Sequence, residues 1–367
     1  MRVVATIDQS ALAHNLEVAR RQAPESRVYA VVKADAYGHG LTNLGPAFDA
    51  ADALAVACMD EALEVREIMP GRQVLVLEGV FSGEELAQAR RHRMELVVHA
   101  PWQLQLLEKE GVAGLKRIWV KFDTGMHRLG FPPGLASSLR ERLDALGAEN
   151  PGIMTHLACA DEPERENTEE QLQAFAMVRS VFPESPVSCA NSAGVLLHPS
   201  THDDWIRPGI MLYGVSPLPA GHGQELGLRP AMTLSARLIA IQDVAAGDRV
   251  GYGATWKADK DCRIGIVSIG YGDGYPWREQ AAGHVVIRGR KLPLAGRISM
   301  DMLGVDLTKL PEAGVGDEVV LWGPELPVEQ VARAVDTSPY ELVCRVSRRV
   351  PRRSIELETP RPAEASG

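Results

Sequence analysis

Lys33 closes a short apolar run, RVYAVVK (27–33), and is followed at once by the glycine-rich turn ADAYGHG. A lysine amine at the end of a buried strand loses part of its hydration, which lowers its pKa and makes it a nucleophile and a base. A surface lysine at a strand end is the plainer reading of that position alone. Further polar groups stand at the ends of other apolar runs. Lys121 closes RIWVK and is followed by Asp123 and Arg128, His156 lies within IMTHLA (153–158), Asn191 closes VSCAN and is followed by Ser192, and Arg207, Pro208 and Gly209 lie within WIRPGIMLYG (205–214). Singly, each has an ordinary explanation, such as a satisfied core histidine or an asparagine in a turn. Gathered at one end of a set of strands, they describe a site for an anionic small molecule.

A second group of polar and aromatic residues sits in three glycine-rich turns, VGYGATW (250–256), IGYGDGYPW (269–277) and GRISMDM (296–302). Glycine there allows tight turns and close approach to a ligand, although ordinary hairpins need it too. Neither G-x-G is a dinucleotide fingerprint, because the full G-x-G-x-x-G is missing and no helix follows. His198, His202 and Asp203 cluster in sequence, but Pro199 spoils helical spacing and no metal is expected.

The elements that must position these residues follow from the pattern of short apolar runs. Eight of them, at 27–33, 53–57, 74–78, 94–99, 117–122, 153–158, 187–191 and 205–214, are too short for helices and fit buried parallel strands. Amphipathic stretches such as SGEELAQARRH (82–92) separate them, with Ser82 as N-cap and Glu85 placed as in a capping box. Eight strands alternating with helices is the count of a (β/α)8 barrel, whose C-terminal strand ends form the active face; a doubly wound open sheet is the runner-up. After about residue 228 the texture turns to strand-like runs between Gly, Asp and Pro turns, with PVEQVARAVD (327–336) helical. The expected division is therefore α/β, with a barrel over 1–228 and a mostly β domain over 229–367, ending in a frayed tail at 360–367. VVATID (3–8) is strand-like with no readable partner.

Composition agrees with a folded two-domain chain. The 367 residues are 45% hydrophobic and 24% charged, enough for a large core without staples. With 39 basic against 48 acidic residues the net charge is −9, which argues against nucleic-acid binding. Arg345, Arg348, Arg349, Arg352 and Arg353 form a local basic group, read as a solvated or ion-paired surface. Five scattered cysteines without a CxxC suit reduced thiols, and neither a signal-peptide core nor a membrane span is visible. A cytoplasmic address with no membrane partner is expected.

AVVKADAYGHG (30–40), VKFDTGMHRLG (120–130), CANSAG (189–194), RPGIMLYG (207–214), GYGATW (251–256), GYGDGYPW (270–277), GRISMDM (296–302) and RVP (349–351), in this order along nearly the whole chain, resemble the alanine racemase family. The resemblance implies a pyridoxal 5'-phosphate enzyme that interconverts L- and D-alanine and supplies D-alanine for peptidoglycan. Lys33 would hold the cofactor covalently and act as one base. Tyr252 would be the other, on the opposite face, with His156 and Arg207 assisting it through hydrogen bonds. Arg207 would also face the cofactor's ring nitrogen. Tyr37, Ser192, Gly209 and Ile210 would hold the phosphate, with His156 and Asn191 in the cofactor shell. Arg128 would bind the substrate carboxylate, and Tyr271, Met300 and Asp301 would line its approach. Lys121 matches a position that is carbamylated in some members. The β-domain residues would come from the opposite subunit of a homodimer. A tyrosine before Arg-Val-Pro in some members aligns here with Arg348. Related alternatives are a racemase for serine or larger side chains, a decarboxylase of the same fold type, and a non-catalytic cofactor carrier.

Overall fold

The computed structural model describes residues 2–148, 150–277 and 283–356. Strand β1 (Val3–Asp8) runs into helix Gln9–Gln22, whose N-cap Asp8 accepts hydrogen bonds from the N–H groups of Ser10 and Ala11. Eight parallel strands follow: β2 (Arg27–Val31), β3 (Ala53–Val56), β4 (Val74–Val76), β5 (Glu95–Val98), β6 (Arg117–Lys121), β7 (Gly152–Met154), β8 (Val187–Ser188) and β9 (Trp205–Ile206). Seven lie within the apolar runs, and β7 starts one residue before its run at 153–158. They are rich in Val, Ala and Ile because both faces are covered, inside by the barrel core and outside by helices. The sheet runs in chain order and returns on itself where β9 pairs with β2. Between β8 and β9 single bonds replace a ladder: Ser188 Oγ donates to the Trp205 carbonyl at 2.6 Å, and Arg207 N–H donates to the Ala190 carbonyl at 2.9 Å. The result is a nearly closed barrel, as the alternation predicts.

The barrel interior is packed. Trp119 Nε1–H donates to Glu95 Oε2 at 2.7 Å, and the Tyr29 hydroxyl donates to the same oxygen. Tyr29 also stacks on Trp205 with ring centroids 4.1 Å apart. A buried carboxylate without a cation needs such donors, because an unpaired buried charge is far too costly. Among the helices, Ser82 Oγ accepts from Glu85 N–H at 3.2 Å as the spacing predicts, while the Glu85 carboxylate takes Phe81 N–H at 2.6 Å rather than that of Ser82.

The second sheet is organised by the long strand β10 (Met232–Val244), followed by a small hairpin of β11 (Arg249–Val250) and β12 (Trp256–Lys257). Then come β13 (Cys262–Val267), β14 (His284–Ile287), β15 (Arg290–Ala295), β16 (Leu303–Asp306), β17 (Glu318–Trp322) and β18 (Arg352–Ile355). β10 pairs with β17 through Leu234–Arg237 and with β13 through Leu238–Val244, so these strands close a second, antiparallel barrel. β1 answers the question its sequence leaves open. It pairs antiparallel with β10 and parallel with β18, so the start of the chain is a strand of the second sheet. The tail at 360–367 lies outside the described residues.

Helix Pro339–Cys344 brings the second domain against the turn after β2. Gly38 makes this possible: its φ is +78°, and a Cβ there would lie 2.1 Å from the Val343 carbonyl oxygen. Gly38→Ala is expected to destabilise the protein by about 3 kcal/mol, through strain plus displaced backbone. Gly71→Ala, at φ +87° with open space around it, should cost only about 1 kcal/mol. Denaturant unfolding of the two variants checks the difference.

Candidate active site

Lys33 follows β2, and the next four residues adopt a conformation that L-residues rarely take. Ala34, Asp35, Ala36 and Tyr37 have φ between 51° and 54°, forming a turn of left-handed helix. Each such residue costs about 1 kcal/mol or more, so the surroundings must hold the turn. Glu61 accepts from Ala34 N–H at 2.7 Å and from Ala57 N–H at 2.8 Å. Asp35 Oδ1 accepts from Leu41 N–H at 2.8 Å. His39 is fully buried and its Nδ1 lies 3.1 and 3.0 Å from the carbonyls of Ala36 and Tyr37. Two carbonyl partners require the proton on Nδ1. Burial pulls the His39 pKa down to about 4, so the ring stays neutral while clamping the turn.

The turn places Lys33 and Tyr37 on the wall of a cavity of about 670 Å³ at the C-terminal ends of the barrel strands. Lys121, Arg128, His156, Asn191, Ser192, Arg207, Gly209 and Ile210 line the same cavity. Four cationic side chains, Lys33, Lys121, Arg128 and Arg207, thus share one wall with two carboxylates, Glu78 and Asp161. Burial acts first, and the neighbouring cations add to it at Lys33, Lys121 and His156. Burial, then Arg207, Arg128 and Lys33, pushes the Lys121 pKa down to about 8. Burial and then Arg128 lower that of Lys33. His156 is held well below its ordinary value by burial and then by Arg207 and Lys121. Burial brings Arg207 down to about 10, which leaves its guanidinium cationic at neutral pH.

Arg207 is held by neutral acceptors: Ser188 Oγ, the Thr155 carbonyl at 2.6 Å and the Cys189 carbonyl at 3.4 Å. Its Nη2 also lies 3.5 Å from His156 Nδ1. Because a guanidinium only donates, this contact assigns the neutral His156 proton to Nε2. At the other side of the cavity, Ser192 Oγ accepts from the N–H groups of Gly209 and Met211 at 2.9 and 3.3 Å. A Cβ on Gly209 would lie 2.4 Å from Tyr37 Oη, so glycine is what admits the phenol here. Asn191 has a structural duty as well: it caps helix Ser192–Leu197, accepting from Gly194 N–H at 3.0 Å.

This geometry suits a ligand with a phosphate and a carbonyl. The cation excess attracts anions, hydroxyls and backbone N–H groups surround Gly209, and an amine of lowered pKa stands in the same cavity. Pyridoxal 5'-phosphate has that donor and acceptor pattern, and these residues fit it.

Four residues of the sequence-derived set are elsewhere. Tyr252 is 72% exposed on the short turn Tyr252–Ala254 of the second domain. Tyr271 and Met300 are exposed too, and Asp301 accepts from Arg349 Nη2 at 2.5 Å. None of the four lines the Lys33 cavity in the single chain.

Arg348, which stands where some members carry a tyrosine, is exposed and is not part of the cavity wall, so it is no phosphate contact. The tyrosine on that wall is Tyr340, whose ring centroid is 6.4 Å from that of Tyr37. Its sequence signal was Ser338-Pro339, an N-cap followed by proline at N1, with Ser338 Oγ accepting from Tyr340 N–H at 3.3 Å. Cys344, Met126, Glu78 and Asp161 also line the cavity and were not singled out by motif.

Two family models match the chain: alanine racemase, N-terminal domain, over residues 7–217, and alanine racemase, C-terminal domain, over residues 231–354. A relative from Nitrosococcus oceani named alanine racemase is 49% identical over 350 residues, covering 95% of this chain and 98% of its own. The crystal structure of biosynthetic alanine racemase from Pseudomonas aeruginosa superposes with a TM-score of 0.92 at 47% identity, covering 97% of this chain and 99% of that one. That of alanine racemase from Bartonella henselae with covalently bound pyridoxal phosphate gives 0.87 at 30% identity, covering 97% and 100%.

Crowding of cations makes stability depend on pH. The folded protein loses the Lys121 proton at about 8, whereas an unhindered lysine keeps it to 10.5. Between those values the unfolded chain binds more protons, so stability rises with pH across that window, and below it the penalty is fully present. In carbonate-free buffer without ligand, Lys121→Met is therefore expected to raise the unfolding midpoint at pH 7 and to flatten its rise between pH 8 and 10, as read by thermal or urea denaturation.

Proposed function

The chain belongs to the alanine racemase family and is an isomerase of that family, and from that premise we propose that it interconverts L- and D-alanine using pyridoxal 5'-phosphate. The observation that carries this reading is the Lys33 amine, depressed in pKa, in one cavity with Arg128, Arg207 and the Tyr37–Ser192–Gly209 cradle. The Bartonella henselae protein with covalently bound pyridoxal phosphate supports it. When bound, the cofactor withdraws electrons from the substrate's α-carbon and so acidifies its proton.

The residues divide the remaining work. Lys33 would hold the cofactor covalently and, as a free amine, would remove or return the α-proton on one face. Burial and then Arg128 lower its pKa, the direction that both tasks need. Tyr37, Ser192 and the backbone at Gly209 and Ile210 hold the phosphate, and Tyr340 joins them. Arg207 would face the ring nitrogen and, cationic at neutral pH, would give it no proton. Asn191 and His156 complete the cofactor shell. Arg128 binds the substrate carboxylate. Lys121 has a substantial neutral fraction near pH 8, which is the form that adds carbon dioxide, giving a carbamate and a proton. The carbamate's negative charge would offset the crowded cations and orient Arg128.

Inversion needs a second base on the opposite face. Tyr252 takes that role from a second copy of the chain, in a homodimer where Tyr271, Met300 and Asp301 line the substrate's approach. Supporting this, Tyr252 lines a hollow of about 450 Å³ with Val250, Ile266, Met302 and Leu303, and Tyr271 and Met300 stand exposed. Exposed apolar surface of this kind marks an interface. His156, with its Nε2–H free of Arg207, assists the Tyr252 hydroxyl. The D-alanine formed serves peptidoglycan synthesis in the cytoplasm.

A chiral assay on the purified protein should show both enantiomers forming from either one in the presence of pyridoxal 5'-phosphate. Lys33→Ala should lower that rate roughly a thousandfold and abolish covalent capture of the cofactor by borohydride; capture that persists unchanged would reassign the lysine. Tyr252→Phe should slow racemisation about a hundredfold while one enantiomer still exchanges its α-hydrogen with solvent deuterium without inverting. Equal losses of exchange for both enantiomers would remove Tyr252 as the second base.

A further inference from the structure

Three loops of the second domain meet at Asp273, whose side chain is completely buried. Its Oδ2 accepts from Gly270 N–H at 3.0 Å and from Arg2 Nη1 at 3.0 Å, and its Oδ1 accepts from Arg2 Nη2 and from Arg349 Nε, the latter at 2.7 Å. Arg2 in turn donates to the Ser268 carbonyl at 2.9 Å. The backbone closes the same knot: Tyr271 N–H donates to the Ser299 carbonyl at 3.1 Å, Gly272 N–H to Met300 at 2.9 Å, and Ser347 N–H to Asp273 itself at 3.0 Å. A Cβ on Gly270 would lie 2.1 Å from the Ser299 carbonyl oxygen, so the two loops are in direct contact. Burial raises the Asp273 carboxyl, but hydrogen bonds from Arg2 and Arg349 outweigh it and hold the group below its ordinary value.

Arg349 differs from Arg2 in pairing with a second carboxylate. While Nε holds Asp273, Nη2 reaches out to Asp301 at 2.5 Å, on the exposed segment next to Met300. Asp301 is half exposed, and among the described residues its ion pair is with Arg349 alone. On the reading that Tyr271, Met300 and Asp301 face the partner subunit's cavity, this carboxylate stands where a substrate carboxylate must pass. Unpaired, it would repel that substrate.

We propose that Arg349 is a positioning and charge-masking residue for the substrate's approach: anchored on buried Asp273, it neutralises Asp301 and fixes the loop of Met300, so that the second domain presents no free negative charge to an amino-acid carboxylate. Arg349 touches neither substrate nor cofactor. Its contribution is to KM rather than to kcat, and it acts on the site of the partner chain. Because Asp273 keeps Arg2 when Arg349 is replaced, the buried carboxylate is not left without a cation, and the variant tests Asp301 specifically.

The test uses the cofactor-loaded dimer. Arg349→Gln should raise KM for alanine about fivefold at low salt, with kcat changed less than twofold, and the increase should shrink as added salt screens the charge. Isothermal titration with propionate, which has the carboxylate and lacks the amine, should show the same weakening. Arg349→Lys should retain most of the affinity, and adding Asp301→Asn to Arg349→Gln should restore it. An unchanged KM, or a raised KM insensitive to salt and to Asp301→Asn, overturns the proposal. Mixed dimers carrying Lys33→Ala in one chain separate it from the shared-site reading. With one live lysine, Arg349→Gln should act when placed in the Lys33→Ala chain. If it acts from the chain that keeps Lys33, the charge mask stands and the cross-subunit arrangement fails.

Discussion

Mutual repulsion among cations at the barrel mouth is the constraint around which this molecule is arranged. Lys33, Lys121, Arg128 and Arg207 occupy one cavity with only Glu78 and Asp161 as carboxylates on its wall. Such a cluster would be costly in a bare core. Its most buried member, Arg207, is anchored by neutral acceptors of the fold rather than by a counter-ion: Ser188, Thr155 and Cys189. Burial first, and then the neighbouring cations, lower the lysine pKa values, so the arrangement that costs stability also favours the neutral amine and attracts phosphate and carboxylate.

Backbone strain belongs to the same account. Four consecutive left-handed residues after Lys33 are a local cost, offset by Glu61, by the buried His39 clamp and by the close packing of Gly38 on Val343. The turn sets Lys33 and Tyr37 on the wall of one cavity. The second domain contributes to this cavity directly, through Tyr340 and Cys344, and holds the turn from behind. It also carries a separate, exposed set of polar and aromatic residues whose loops are knotted on Asp273. Rigid support for exposed residues is what a composite site between two chains requires.

Much was legible in the sequence because it depends on local pattern. Eight apolar runs gave eight parallel strands, and the turn from parallel-strand texture to glycine-bounded strands marked the antiparallel second sheet. Ten site residues at the barrel strand ends were brought to one cavity, since a parallel barrel puts all such ends on one face. Tyr340 was not singled out, since its local pattern marks only a helix start; its place on the cavity wall comes from how helix Pro339–Cys344 packs on the turn after β2. The partner of VVATID could not be read, since a strand's pairing across more than 220 residues depends on which edge is free, not on its own residues.

What the sequence by itself determined is therefore the chemistry available and the end of the barrel at which it gathers: residue types and strand boundaries are local properties. Only the tertiary structure decided the left-handed turn, the cation crowding that shifts the lysines, and the knot of Arg2, Asp273, Arg349 and Asp301, which joins residues from opposite ends of the chain. Those features arise from distances in space. Electrostatic interaction and burial act between groups that the fold makes neighbours, whatever their separation along the chain.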